Sequence, residues 1–166
     1  MACIGSLECN PLCLSTSPDY DEDTDLIIFG DDGGFVNVLY MHKRFLVDTA
    51  GDVDVSELTA AKIQKKDSLE RHNICLVRVK LHSEWVLKVH YYSEMNTFIS
   101  CANESVNSMV IGDFERKINR SISVPNGITC FEVSRRPSFI LTGGRDKIIR
   151  LWNPYILSKP AGQLSG

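Results

Sequence analysis

An all-β chain assembled from repeated antiparallel units is what this sequence predicts, on three observations. Apolar residues alternate with period two in short runs, Ile128–Val133, Phe139–Thr142 and Ile148–Trp152, the spacing that lines one face of a strand. Those runs are broken by Arg136-Pro137 and by Gly143-Gly144-Arg145-Asp146, residue types that build tight turns. The pattern also recurs. A shift of 41 residues sets Phe139-Ile140 on Phe98-Ile99, Thr142 on Cys101, Asp146 on Ser105 and Trp152 on Ile111, and a fixed spacing of this size is the mark of a repeat architecture.

Taken in chain order, the first unit covers residues 1–41. Ile4–Leu7 is its opening strand and residues 10–24, rich in Pro, Ser and acid, a surface loop. Asp25–Gly30 and Phe35–Leu39 are strands around the Asp31–Gly34 turn. Residues 42–73 are an insertion, because Leu39 lies 72 residues before Ile111 rather than 41. Its centre, Asp54–Arg71, has Ser56 as a cap, acids early and bases late, and reads as a short helix or a disordered linker. The second unit is 74–113, with Cys75–Leu81 as the strand that leads into it, and the third is 114–153. Residues 154–166 read as the start of a further unit, with Pro160–Gly166 as its outer strand.

The 166 residues carry a net charge of −3 with both signs interspersed, so no basic face points to nucleic acid. No run approaches the length of a membrane helix, and the start lacks the form of a secretory signal. An intracellular, cytoplasmic, non-secreted protein is expected, with reduced thiols at its six cysteines.

The order of apolar strand, small residue with an Asp turn, and strand ending in Leu151-Trp152-Asn153 resembles the WD-repeat β-propeller family, whose signature closes on Trp-Asp. The resemblance implies three antiparallel four-stranded blades of an incomplete WD-repeat propeller, interrupted by the short helical or disordered insertion. It also implies a hydrogen-bonded set in each blade: a His before the first strand, a Ser or Thr on the second, the turn Asp and the Trp. The third unit supplies Thr142, Asp146 and Trp152, with Pro125-Asn126 where the His would stand. The second supplies His82 and Ser100, with Ser105 and Ile111 at the other two places. The first has Asp31 and Asp32 near its turn and Leu39 in place of Trp. These are structural residues of the blades.

The run Asp19–Asp25 fails as a calcium loop, because counting from Asp19 puts Thr24 and Gly30 where Gly and Glu are needed. Ser138 follows two arginines, and Ser17 precedes Pro18. Both are weak phosphorylation candidates, with plain turns as the alternative. No phosphate loop, zinc motif or nucleophile elbow is present. Catalytic, cofactor and metal residues are therefore expected to be none.

The resemblance implies a non-enzymatic scaffold binding other proteins, as a fragment or spliced short form of a longer chain. The competing reading is a small-ligand or enzymatic propeller domain. Open blade edges would favour self-association.

Overall fold

The structure, a computed structural model, describes residues 7–17, 21–43, 73–114, 116–135 and 138–165. Twelve strands there form three antiparallel four-stranded sheets, each a meander of consecutive strands. Sheet I contains β1 (Pro11–Ser17), β2 (Thr24–Asp31), β3 (Phe35–His42) and β4 (Ile74–Lys80). Sheet II contains β5 (Val86–Tyr92), β6 (Thr97–Ala102), β7 (Met109–Asp113) and β8 (Ile118–Ile122). Sheet III contains β9 (Cys130–Arg135), β10 (Ser138–Gly143), β11 (Ile148–Trp152) and β12 (Gly162–Ser165). The helix or linker expected around Asp54–Arg71 lies outside the described residues, as do residues 1–6.

Period-two alternation decides which side chains meet. In sheet I, Leu26, Ile28, Val36 and Val38 point to one side and pack on Val86, Val89, Tyr91, Phe98 and Val110 of sheet II. The opposite side of sheet II carries Ile99, Cys101, Met109 and Ile111, which pack on Phe131, Ile140 and Trp152 of sheet III. Both cores are therefore sandwiches between successive sheets, and sheet II is covered on both faces. Polar contacts pin the inner edges. Ser15 Oγ lies 2.9 Å from His90 Nδ1, and the Lys88 ammonium donates to the Phe131 carbonyl at 2.6 Å and to Glu132 at 3.1 Å.

The structure departs from the expected elements in three places. Residues 11–17 form strand β1 within what reads as a surface loop, paired with β2 from Pro11↔Asp31 to Ser17↔Leu26. Its inward residues are small and polar, Ser15 and Ser17, both buried, so no apolar alternation announces it. Second, the outer strands complete the sheet that precedes them. Ile74–Lys80 pairs with β3 from Met41↔Ile74 to Phe35↔Lys80, and Gly162–Ser165 pairs with β11, because antiparallel pairing joins each strand to the one before it. The sequence repeat and the sheet are thus staggered by one strand. Third, the facing of the strands differs by one place from the repeat offset. Thr142 and Trp152 face back towards sheet II, whereas Cys101 and Ile111 face forward to sheet III. The positions equivalent to Thr142 and Trp152 are accordingly Ser100 and Val110, one residue earlier than the 41-residue offset places them.

Candidate functional site

The β2–β3, β6–β7 and β10–β11 turns gather at one end of the sheets with the β4–β5 and β8–β9 connections. Backbone bonds fix this end. Leu81 and His82 donate to the Gly34 carbonyl (3.3 and 3.0 Å), Ile128 to Ala102 (3.1 Å) and Thr129 to Gly143 (2.9 Å). Gly34 has φ +76°, and a Cβ there would meet the His82 carbonyl oxygen at 2.3 Å, so this crossing requires glycine.

Each sheet has its own buried polar set at this end. In sheet II the His82 side chain is fully buried. Its Nδ1 lies 2.8 Å from the Asn107 carbonyl oxygen and 3.1 Å from Glu104 Oε1, and its Nε2 lies 2.8 Å from Ser100 Oγ. Two acceptors at Nδ1 put the proton there, leaving Nε2 to accept from the Ser100 hydroxyl. Burial pushes the imidazole pKa down, and it outweighs the Asn107 carbonyl and the Glu104 carboxylate, which favour the charged form. Glu104 also accepts from the Ser83 backbone N–H at 3.1 Å and from the Ser83 hydroxyl. It thereby ties the turn to the strand connection.

Sheet III holds the indole N–H of Trp152, which donates to Thr142 Oγ1 at 2.9 Å within the core. Asp146 caps its turn through the Ile148 backbone N–H (3.2 Å) and pairs with Arg150 at 2.6 Å. That Arg150 contact holds the carboxyl below its ordinary range. Asn153, which stands where the signature has Asp, accepts from the Tyr155 backbone N–H at 2.9 Å.

In sheet I the Asp31 carboxylate is buried and accepts from the backbone N–H of Gly33 and Phe35 (both 2.9 Å) and from Asn37 Nδ2 (3.0 Å). Arg78 approaches it at 3.5 Å while its guanidinium lies 3.7 Å from the centre of the Phe35 ring. Asp32, by contrast, turns outward and binds Asn10 through both oxygens.

The residues expected at this site are therefore divided among the sheets. Thr142 and Trp152 bond to each other; Asp146 serves its own turn; His82 bonds to Ser100. Glu104, Asn37 and Arg78 were not anticipated. Glu104 stands one residue before Ser105, where an acid was sought, and its carboxylate reaches the position from the longer side chain. Of the phosphorylation candidates, Ser17 is buried in β1. Ser138 opens β10 opposite Arg135, and its side chain lies outside the described part. The acidic run is described only from Asp21.

Cys9, Asp31 and Asp32 place one donor atom each within 4.8 Å of one another. The Asp31 and Asp32 oxygens are already occupied by turn donors, which accounts for the cluster without an ion. What the site does chemically is satisfy buried polar groups with one another and hold loop backbones rigid. Side chains at its outer surface are left available, above all Trp85 (59% exposed) and Val106 (65% exposed).

Successive four-stranded sheets, each locked by a polar turn set, define a repeat-blade β protein. Residues 116–153 match the family model described as "WD domain, G-beta repeat", a span running from β8 to β11 and so crossing two sheets. The chain is also similar to proteins called "WD repeat-containing protein on Y chromosome". Identity is 30% over 94 residues for that of Drosophila grimshawi, 29% over 94 for Drosophila virilis and 28% over 96 for Drosophila pseudoobscura pseudoobscura. Each match takes in 53% of this chain and 8 or 9% of the relative, so the chain spans less than a tenth of these relatives. Together these matches support the WD-repeat family.

Proposed function

We propose that this chain is a non-enzymatic protein-interaction scaffold, forming part of a longer WD-repeat protein. The observation that carries the reading is Trp85, exposed on a rim of loops whose backbones and buried polar groups are fixed from beneath. A large aromatic on a rigid support is the composition of an interface anchor, because it buries much area at little entropic cost. The titratable side chains at this end, His82, Glu104, Asp31 and Asp146, are engaged in holding the sheets.

Membership of a longer chain is supported by the small share of each relative that is matched. As part of the proposal, the motif Gly30–Val38 places the chain beside WD repeat-containing protein 64 and its relative 49 within the family. An intracellular, cytoplasmic setting is part of the same proposal.

Cross-linking and affinity capture from cell extract, with wild type compared against Trp85→Ala, tests the proposal. A set of proteins captured by the wild type and lost from Trp85→Ala, at unchanged thermal stability, is expected. Identical capture by the two would refute the assignment of this rim.

A further inference from the structure

One Asn-Gly step occurs in the sequence, Asn126-Gly127, and it lies where the turns of sheets II and III meet. In such a step the asparagine side chain readily meets the backbone nitrogen that follows it, because glycine has no Cβ to block the approach. The loop between β8 and β9 holds this one in a single conformation. Pro125 and Asn126 are the corners of a turn closed by the Gly127 N–H, which donates to the Val124 carbonyl at 3.0 Å. Asn126 has φ +66°, the left-handed value that the second corner of a type II turn requires. Gly127 follows at φ +74°.

Neighbouring turns keep the step in that form. A Cβ on Gly127 would lie 2.6 Å from the Asn103 backbone, and a Cβ on Gly144 would lie 2.4 Å from the Gly127 carbonyl oxygen. Gly127 is therefore clasped between the β6–β7 turn of sheet II and the β10–β11 turn of sheet III. Next to it the Ile128 N–H donates to the Ala102 carbonyl at 3.1 Å. The Asn103 side chain, with its amide turned to satisfy both neighbours, donates to the Asn126 carbonyl at 2.9 Å and accepts from Arg145 Nη1 at 3.1 Å. Asn126 is exposed and Gly127 is buried. Solvent thus reaches the side-chain amide, while the backbone nitrogen that would attack it is engaged with Val124.

We propose that Asn126 is a deamidation site gated by this crossing, locked while Gly127 is seated and converted once the loop opens. In the reaction the Gly127 nitrogen bonds to Asn126 Cγ as the Cγ–Nδ2 bond breaks, and ammonia leaves with the proton that this nitrogen gives up. Water then opens the cyclic imide at either carbonyl. Attack at the side-chain carbonyl gives Asp. Attack at the main-chain carbonyl gives isoaspartate, whose main chain runs through the former side chain and is longer by a methylene. The seated turn opposes the first step, since the Gly127 N–H must leave the Val124 carbonyl before its nitrogen can swing to the amide. An isoaspartyl chain cannot return Gly127 to its place between Asn103 and Gly144, so the change is one-way. The Trp85 rim plays no part in it.

The whole chain, native and in guanidinium chloride at the same mildly alkaline pH, is digested with trypsin at intervals, and the peptide 121–135 reports the mass change from amide to acid. Conversion is slow beside loop opening, so the native rate is the unfolded rate multiplied by the open fraction. The native chain should convert at least about tenfold more slowly than the unfolded one. Asn103→Ala removes one neutral hydrogen bond from the closed form and should raise the native rate about fivefold, with the unfolded rate unchanged. The isoaspartyl form, isolated by ion exchange, should melt below Asn126→Asp, which adds the same charge and keeps the backbone. Equal native and unfolded rates overturn the gate, and no conversion in guanidinium chloride overturns the site. An unchanged native rate in Asn103→Ala overturns Asn103 as the lock. An isoaspartyl chain that melts with Asn126→Asp overturns the one-way change.

Discussion

The bond from the Trp152 indole to Thr142 can be tested as a coupled pair. Both side chains are almost wholly buried, at 3% and 2% exposure, and the donor–acceptor distance is 2.9 Å. Thr142→Val keeps the shape and strands the indole N–H, which costs about 1–3 kcal/mol when water cannot reach it. Trp152→Phe removes the donor and part of a ring packed on Ile140 and its neighbours, for roughly 2–4 kcal/mol in all. The double variant loses the same bond once rather than twice and leaves no polar partner stranded. It should therefore fall short of the sum of the singles by about 1–2 kcal/mol. Urea unfolding followed by far-UV circular dichroism measures this, since fluorescence would be confounded by the loss of an indole. Additivity within about 0.5 kcal/mol would show that the two side chains do not act as a unit.

The lowered pKa of His82 means that the unfolded chain binds its proton more readily than the folded one. Its stabilisation is complete above the unfolded value of about 6.5 and is lost as pH falls through that value towards the folded one. Melting temperature of wild type minus His82→Gln should shrink on going from pH 7.5 to 5 (about one unit or more on either side of that value); a constant difference would exclude the linkage. Gly34→Ala forces a Cβ onto the His82 carbonyl at a positive φ and should cost at least about 1–3 kcal/mol in urea unfolding; a loss under about 0.5 would contradict the crossing. Cys101, buried and with its pKa pushed up to about 12, should resist iodoacetamide until the chain unfolds, while exposed Cys130 is labelled in the native state. Mass spectrometry showing equal rates would refute the burial of β6.

Much of the fold was readable because strands β2, β3, β6, β7, β10 and β11 bury apolar residues at period two, and that pattern needs no tertiary information. Strand β1 was hidden because its inward places hold Ser15 and Ser17, which are buried against sheet II by contacts such as Ser15–His90. The one-residue slip of Cys101 and Ile111 arose because equivalent places of sheets II and III, Ser100 with Thr142 and Val110 with Trp152, lie one residue further apart than the repeat offset, and only the facing of the side chains reveals this. At the site, Thr142 and Trp152 were legible from a known signature. Glu104 and the Asp31–Asn37–Arg78 set were not, since each depends on side-chain reach across elements far apart in sequence, Asp31 to Arg78 above all.

Among the described residues, sheet II has a neighbouring sheet on each face, whereas I and III have one each. The chain should therefore not open evenly. Backbone amides of β6, whose residues from Phe98 to Ala102 are buried, can meet solvent only after a flanking sheet has come away, so their hydrogen exchange should report global unfolding. Those of β12, a four-residue outer strand with Leu164 turned to solvent, should exchange through local fraying at far lower cost. Mechanical or thermal loss of structure would then travel inward from the two ends, and the central sheet would be the last to go.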